Sequence, residues 1–191
     1  TSIVMMMMII RMRYVMSFSN SSSSVWGYYT DEDKCTEHAG DVTVFHLGTC
    51  ALGDFNQIRC FGYMLSPILA FSQGFSSITI GKDVSTTGNA LTPVFLSDVE
   101  NPVHPVSLAR TGSTNVRHMC AVMSNNRLKC WGEGAWGSLG LGSYDSVPLD
   151  HSVEAIEQTM GDNLPYVDTG SLTVDSAVVG EHFTCALLND N

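Results

Sequence analysis

The chain has 191 residues, 44% of them hydrophobic, which is enough to bury a sizeable core. Nineteen Asp and Glu against nine Lys and Arg give a net charge of −10. With no basic run to offset it, this balance excludes a nucleic-acid backbone as the main ligand.

The first seventeen or so residues are mostly apolar but carry Arg11 and Arg13. A membrane-spanning helix needs about 20 apolar residues in a row, so this stretch is too short and too charged to span. A serine run, Ser21 to Ser24, follows it, and residues 1–24 are set apart from 25–191. Three readings stand for 1–24: a remnant targeting or anchor segment, an upstream strand, or an artefact of an incomplete gene model. A membrane enters the expectations only through this segment. Asn20–Ser21–Ser22 fits a glycosylation acceptor, meaningful only in a secreted chain. Val25–Trp26–Gly27 weakly echoes a later Cys-Trp-Gly. Asp31, Glu32 and Asp33 lack calcium-loop spacing and read as a solvated turn.

Short β-rich segments then lie between turn signals: 42–45, 78–80 and 177–179. Between the first two sits CALGDFNQIRC, from Cys50 to Cys60, followed by Phe61 and Gly62. The clearest stretch is HMCAVMSNNRLKCWGEGAWGSLGLG, from His118 to Gly142. There Cys120 and Cys130 bracket a hairpin whose three-residue loop ends on Asn126, a position usually left-handed and tolerant of Asn. That register sets Cys120 opposite Cys130, within reach of a cross-strand disulfide. Trp131 opens a run of glycines (Gly132, Gly134, Gly137, Gly140 and Gly142) with Leu139 as its apolar anchor. So many glycines exclude a stable helix and predict tight turns under a packed aromatic.

The same frame holds at Cys50–Cys60 and starts again at Cys185, with offsets of seventy, seventy and sixty-five. Leu52, Val122 and Leu187 recur at the second place after the first Cys, and Asn56, Asn126 and Asn191 at the sixth. The chain is therefore read as a repeat protein of short strands, and an all-β propeller is the architecture that fits.

At these residues the sequence resembles the regulator of chromosome condensation family, in its long-repeat, cysteine-paired branch. Cys120, Ala121, Cys130, Trp131, Gly132, Gly137, Leu139, Gly140 and Gly142 match the repeat, with Pro148 at its later proline and Ser138 in place of the common Gln. Residues 160–168 and 180–187 resemble the inter-hairpin segment and the next blade opening. The likeness is good over 110–191 and loose over 42–110. The copy after Cys60 is degenerate, with Leu69 at the place of Leu139, Ala70 at that of Gly140 and Pro67 at that of Gly137. An altered outer loop is expected in that blade. Members of the family usually close seven blades. This chain holds about two and a half repeats, so it is read as an open, partial propeller and as a fragment or truncated product.

Two cysteine pairs suggest an oxidising, extracellular or lumenal compartment. Two reduced pairs in a cytoplasmic or nuclear protein are the alternative. Cys35 and Cys185 are left over, free to pair with each other or elsewhere. His38, His46, His104, His118, His151 and His182 are scattered and the paired cysteines are ten apart, which is not zinc spacing. His46, His118 and His182 recur near the hairpin cysteines, where hydrogen-bonding roles are favoured over metal binding. Cys35 near His38 is a poor nucleophile pair, and the glycine run lacks the Lys-Ser/Thr of a phosphate cradle. No catalytic, cofactor or metal residue is expected.

The resemblance implies a non-enzymatic scaffold that binds another protein through blade-end loops. Its alternatives are a guanine-nucleotide exchange factor for a small GTPase, and a secreted protein inhibitor or surface-binding module. Trp131, Trp136 and Tyr144 are compatible with the last.

Overall fold

The computed structural model describes residues 17–20, 23–26, 41–45, 48–53, 56–65, 77–81, 91–97, 102–111, 115–148 and 152–190. The readings made at Asp31–Asp33, Cys35, His38, His46, Pro67, Leu69, Ala70, His151 and Asn191 lie outside these residues. A first hairpin joins β1 (Ser17–Asn20) to β2 (Ser23–Trp26). Among the described residues three further sheets follow. One runs β3 (Val42–Phe45), β4 (Gly48–Leu52), β5 (Ile58–Leu65) and β6 (Ser77–Ile80) in spatial order. The next comprises β7 (Pro105–Leu108), β9 (His118–Met123) and β10 (Leu128–Gly132). The last pairs β11 (Thr173–Val179) with β12 (Thr184–Asn189), with β8 (Arg110–Thr111) along the other side of β11.

The three sheets are copies in register as well as in sequence. Val42, Leu108 and Ala177 each face the alanine that follows a cysteine: Ala51, Ala121 and Ala186. Both β7 and β11 carry a bulge at the same place, between Pro105 and Ser107 and between Val174 and Ser176. In the two complete hairpins Cys50 faces Cys60 and Cys120 faces Cys130, each pair disulfide-bonded with Cα atoms 4.1 Å apart. Gly53 N–H donates to Gln57 O (2.9 Å) and Met123 N–H to Arg127 O (2.8 Å), which closes a three-residue loop in each. Asn56 and Asn126 end those loops, both at φ 57°. The left-handed conformation suits the short amide side chain of Asn and strains a β-branched one.

The first strands of successive sheets lie side by side and run the same way. β8 extends the line of β7 past Ala109 and runs parallel to β11, with Arg110 beside Val178 and Thr111 beside Val179. On its other flank, the Thr111 hydroxyl donates to the Val44 carbonyl of β3. Below that contact, Asp41 Oδ2 accepts from Ser107 Oγ (2.5 Å) and from Leu108 N–H (3.0 Å). Sheets that radiate from parallel inner strands are blades around an axis. The fold is all-β, an open arc of propeller blades, and no sheet closes on itself among the described residues.

Blades 1 and 2 assemble their outer strand from two separate segments. In blade 1, β6 covers the distal half of β5, while Val94 N–H donates to Ile58 O (2.8 Å) at the near half. In blade 2, Val147 bridges Gly132 and Val167 N–H donates to Leu128 O (2.9 Å). The degenerate copy thus builds the longer pairing. Without a Gly-rich turn after Gly62, strand-forming Tyr63, Met64 and Leu65 carry β5 onward against β6.

Among the described residues one α-helix, α1 (Val153–Thr159), interrupts the strands. Ser152 caps it by accepting the Ala155 N–H, and Ile156 and Met160 turn inward to the core. The core runs without a break through Ile58, Leu96, Leu108, Met119, Leu128, Trp131, Leu139, Leu164 and Val179. Among the described residues no helix is long and apolar enough to cross a membrane.

Candidate functional site

β10 ends in Trp131, which is fully buried, and Gly132, at φ 114°. The chain then folds back on itself. Gly132 and Val147 exchange both backbone hydrogen bonds, at 2.7 and 2.9 Å, so residues 133–146 form a loop pinched at its base. The tightest point is Gly134. A Cβ there would stand 1.8 Å from the Asp145 carbonyl oxygen, so any side chain would prise the two limbs apart. Ser138 Oγ donates to Glu133 O (2.7 Å), Gly140 N–H donates to Gly137 O (3.0 Å), and Leu139 plugs the loop into the core.

On this base sits one turn of 3-10 helix, Ala135–Gly137. Its middle residue, Trp136, is at φ 61° with its side chain turned out to solvent. Trp136 is 76% exposed and Tyr144, on the returning limb, 77%. A bulky residue in the left-handed region is rare, and it persists only where its surroundings enforce it. Here the enforcement is visible in the pinched base, the Ser138 bond and the Leu139 anchor. The Trp136 ring lies 6.2 Å from that of His182, tilted by 58°. His182 is itself exposed, with Nε2 3.7 Å from Glu181 Oε1.

The floor of the site is a polar link between blades 2 and 3. Thr184 Oγ1 donates to Ser138 O (2.8 Å) and lies 2.9 Å from His118 Nε2. Having spent its one proton on Ser138, the hydroxyl accepts from His118, which fixes the Nε2–H tautomer. His118 is buried. Desolvation, reinforced by His182 and opposed by Glu133, lowers its pKa to about 4, so it is neutral at ordinary pH. Of the two described histidines near the hairpin cysteines, His118 is buried in the blade interface and His182 is exposed beside Trp136. Among the described residues no three His, Cys, Asp or Glu side chains converge to hold a metal.

A second buried polar group was not singled out by motif. Lys129, 2% exposed, donates from Nζ to Leu96 O and Gly161 O at 2.8 Å each. Its ammonium is also 4.9 Å from the centroid of Tyr166, whose ring Arg127 covers at 4.1 Å. It ties the β9–β10 hairpin to the segment around Leu96, which lines the outer side of β5, and to the turn at Gly161. Cys185 lies exposed on β12 with a free thiol.

No family model matches the chain, and no curated protein does. Solved structures do. Human WBSCR16 aligns with 87% of this chain and 34% of its own, at TM-score 0.48 and 15% identity. Prp20p from Saccharomyces cerevisiae, described with its binding to Gsp1p and histones, aligns with 79% of this chain and 28% of its own, at TM-score 0.44 and 17% identity. Yeast RCC1 (Prp20) bound to Kap60 aligns at TM-score 0.43 and 17% identity, over 77% and 29%. The chain spans about a third of the length of these structures. The propeller assignment itself stands on the parallel inner strands and the registered repeats of this chain. It is an open arc of β-propeller blades whose repeat, from Cys120 to Gly142, resembles that of the regulator of chromosome condensation family.

Proposed function

We propose that the chain is a non-enzymatic propeller scaffold that recognises another protein through its blade-end loops, with Trp136 and Tyr144 central to the contact. The observation that carries this reading is the conformation of Trp136: a large aromatic ring held out to solvent in the left-handed region by a loop fixed by its pinched base, the Ser138 bond and the Leu139 anchor. The backbone beneath the ring is already fixed, so a partner that covers it gains apolar burial with only the two side-chain torsions left to order. Exposed Trp and Tyr are also the residues in which interface energy concentrates. The two disulfides suit an oxidising compartment and weigh against a nuclear exchange factor.

Affinity capture on the immobilised chain, followed by titration of each captured protein, tests the reading. Trp136→Ala should weaken a true partner by about thirtyfold or more, as expected of a central aromatic. It should leave the melting temperature unchanged. Partners that bind Trp136→Ala and Tyr144→Ala as tightly as the parent overturn the assignment of this loop. Accelerated release of a fluorescent guanine nucleotide from a small GTPase would favour the exchange-factor alternative.

A further inference from the structure

The aromatic face around Trp136 carries negative charge at its margin, and we propose that it receives an arginine side chain of the partner protein, its guanidinium stacked on the Trp136 indole. This inference rests on the reading of Trp136 as a contact residue and names the chemistry of what covers it.

The loops that build the face supply acids and no Lys or Arg. Residues 133–146 contain Glu133 and Asp145, and residues 180–184 contain Glu181 and His182. The bond from Thr184 Oγ1 to Ser138 O, at 2.8 Å, holds the two loops together. Above it the His182 ring stands 6.2 Å from that of Trp136, and His182 Nε2 is 3.7 Å from Glu181 Oε1. One side chain therefore separates the Glu181 carboxylate from the indole. On the other flank Tyr144 lies along the backbone next to Trp136, since a Cβ on Gly137 would stand 4.0 Å from Tyr144 Cε1. Asp145 follows it on the exposed surface. Arg117 is the cation at this margin, and its Nη1 is engaged by Glu133 Oε2 at 3.3 Å.

An electron-rich ring face bordered by carboxylates attracts a cation. Arginine suits an exposed ring better than lysine does. Its guanidinium is planar and weakly hydrated, so it stacks on an indole while its edge N–H groups stay free to donate to a carboxylate. The chain makes this pairing elsewhere in blade 2, where Arg127 covers the Tyr166 ring at 4.1 Å from its centroid. Tyr166 has its guanidinium within the chain. Among the described residues no Lys or Arg covers Trp136 or Tyr144. The net charge of −10 also favours a basic partner and steers its approach.

Titrating the full chain, isotope-labelled on its tryptophans, with the peptide acetyl-Gly-Gly-Arg-Gly-Gly-amide tests the proposal. The Nε1–H resonance of Trp136, assigned by its loss in Trp136→Phe, should shift saturably, while that of the buried Trp131 stays in place. Citrulline in place of arginine keeps the planar shape and removes the charge, and should weaken binding by about fivefold or more. Asp145→Asn combined with Glu181→Gln should weaken the arginine peptide by about threefold or more and leave the citrulline peptide unchanged. Equal affinity for the arginine and citrulline peptides would mean that the rings take up planar groups without regard to charge, and would overturn the proposal. So would a Trp136 resonance that the arginine peptide leaves in place. A captured protein that needs Trp136 yet binds the Asp145→Asn, Glu181→Gln chain as tightly as the parent would overturn it too, while the wider reading of the loop stood. That wider reading fails separately, through captured proteins indifferent to Trp136→Ala.

Discussion

β9 and β12 carry nearly the same sequence, Cys-Ala-Val in one and Cys-Ala-Leu in the other, and meet opposite fates. Cys120 and Val122 are buried, Val122 to 3% exposure, because β10 pairs along their edge and Thr184 of blade 3 covers their face. Cys185 and Leu187 stand in the same register on β11 and remain in water, Leu187 at 58%. A propeller strand thus takes its burial from its neighbours. The local pattern sets which way a side chain points, and the adjoining blade decides whether anything covers it.

The largest expected contrast is covalent. Replacing both Cys120 and Cys130 by Ala should cost about 3 kcal/mol, the loop-closure value for a ring of this size. Cys185→Ser should change stability by less than about 0.5 kcal/mol. Urea melts of the monomeric chain measure both. Similar losses would mean that blade 3 contributes more to cooperative folding than its exposure implies.

Acid should separate the two strands next. The folded pKa of His118, about 4, lies below the ordinary value of 6.5. The unfolded chain therefore binds the proton first, and stability falls as pH drops from 6.5, levelling out near 4. The shift corresponds to about 3 kcal/mol at most. Phe183 holds the matching place just before β12 and does not titrate. His118→Phe should flatten this part of the pH profile relative to the parent, with carboxylates contributing equally to both. An unchanged profile would show that the buried imidazole is not the titrating group.

Packing gives the next contrast. Val122→Ala should cost about 2 kcal/mol and Leu187→Ala under about 0.5 kcal/mol. Smallest is the turn. Asn126→Gly should be nearly neutral, whereas Asn126→Val should cost about 1–2 kcal/mol at φ 57°. Equal melting points for the two variants would count against a left-handed loop end.

What was legible in the sequence was short-range. The three-residue loops, the Asn at their left-handed ends and the facing cysteines all follow from spacing within one hairpin. The glycines after Trp131 announced tight turns, although nothing local marked Gly134 as the point of closest approach, since its constraint is the carbonyl of Asp145. No local pattern marks Asp41, Thr184 or Lys129 either. Each acts on groups distant in sequence: Ser107 and Leu108, Ser138 and His118, Leu96 and Gly161. Helix α1 does carry a local signal, Ser152 as a cap ahead of Ile156 and Met160, within a chain otherwise patterned for strands. Trp136 was visible as an aromatic between glycines. Its outward, left-handed pose was not, because the pinched base that enforces it joins Gly132 to Val147.

Hydrogen exchange at two alanine amides tests most directly whether neighbours, not sequence, distinguish the strands. Ala121 faces Lys129 across β9 and β10, whereas the equivalent amide of Ala186 faces the edge of β12 that no strand covers among the described residues. In the reduced, dilute Cys185→Ser chain, Ala186 should exchange close to the unprotected rate and Ala121 at least about a thousandfold slower. Equal protection at the two amides would contradict the account.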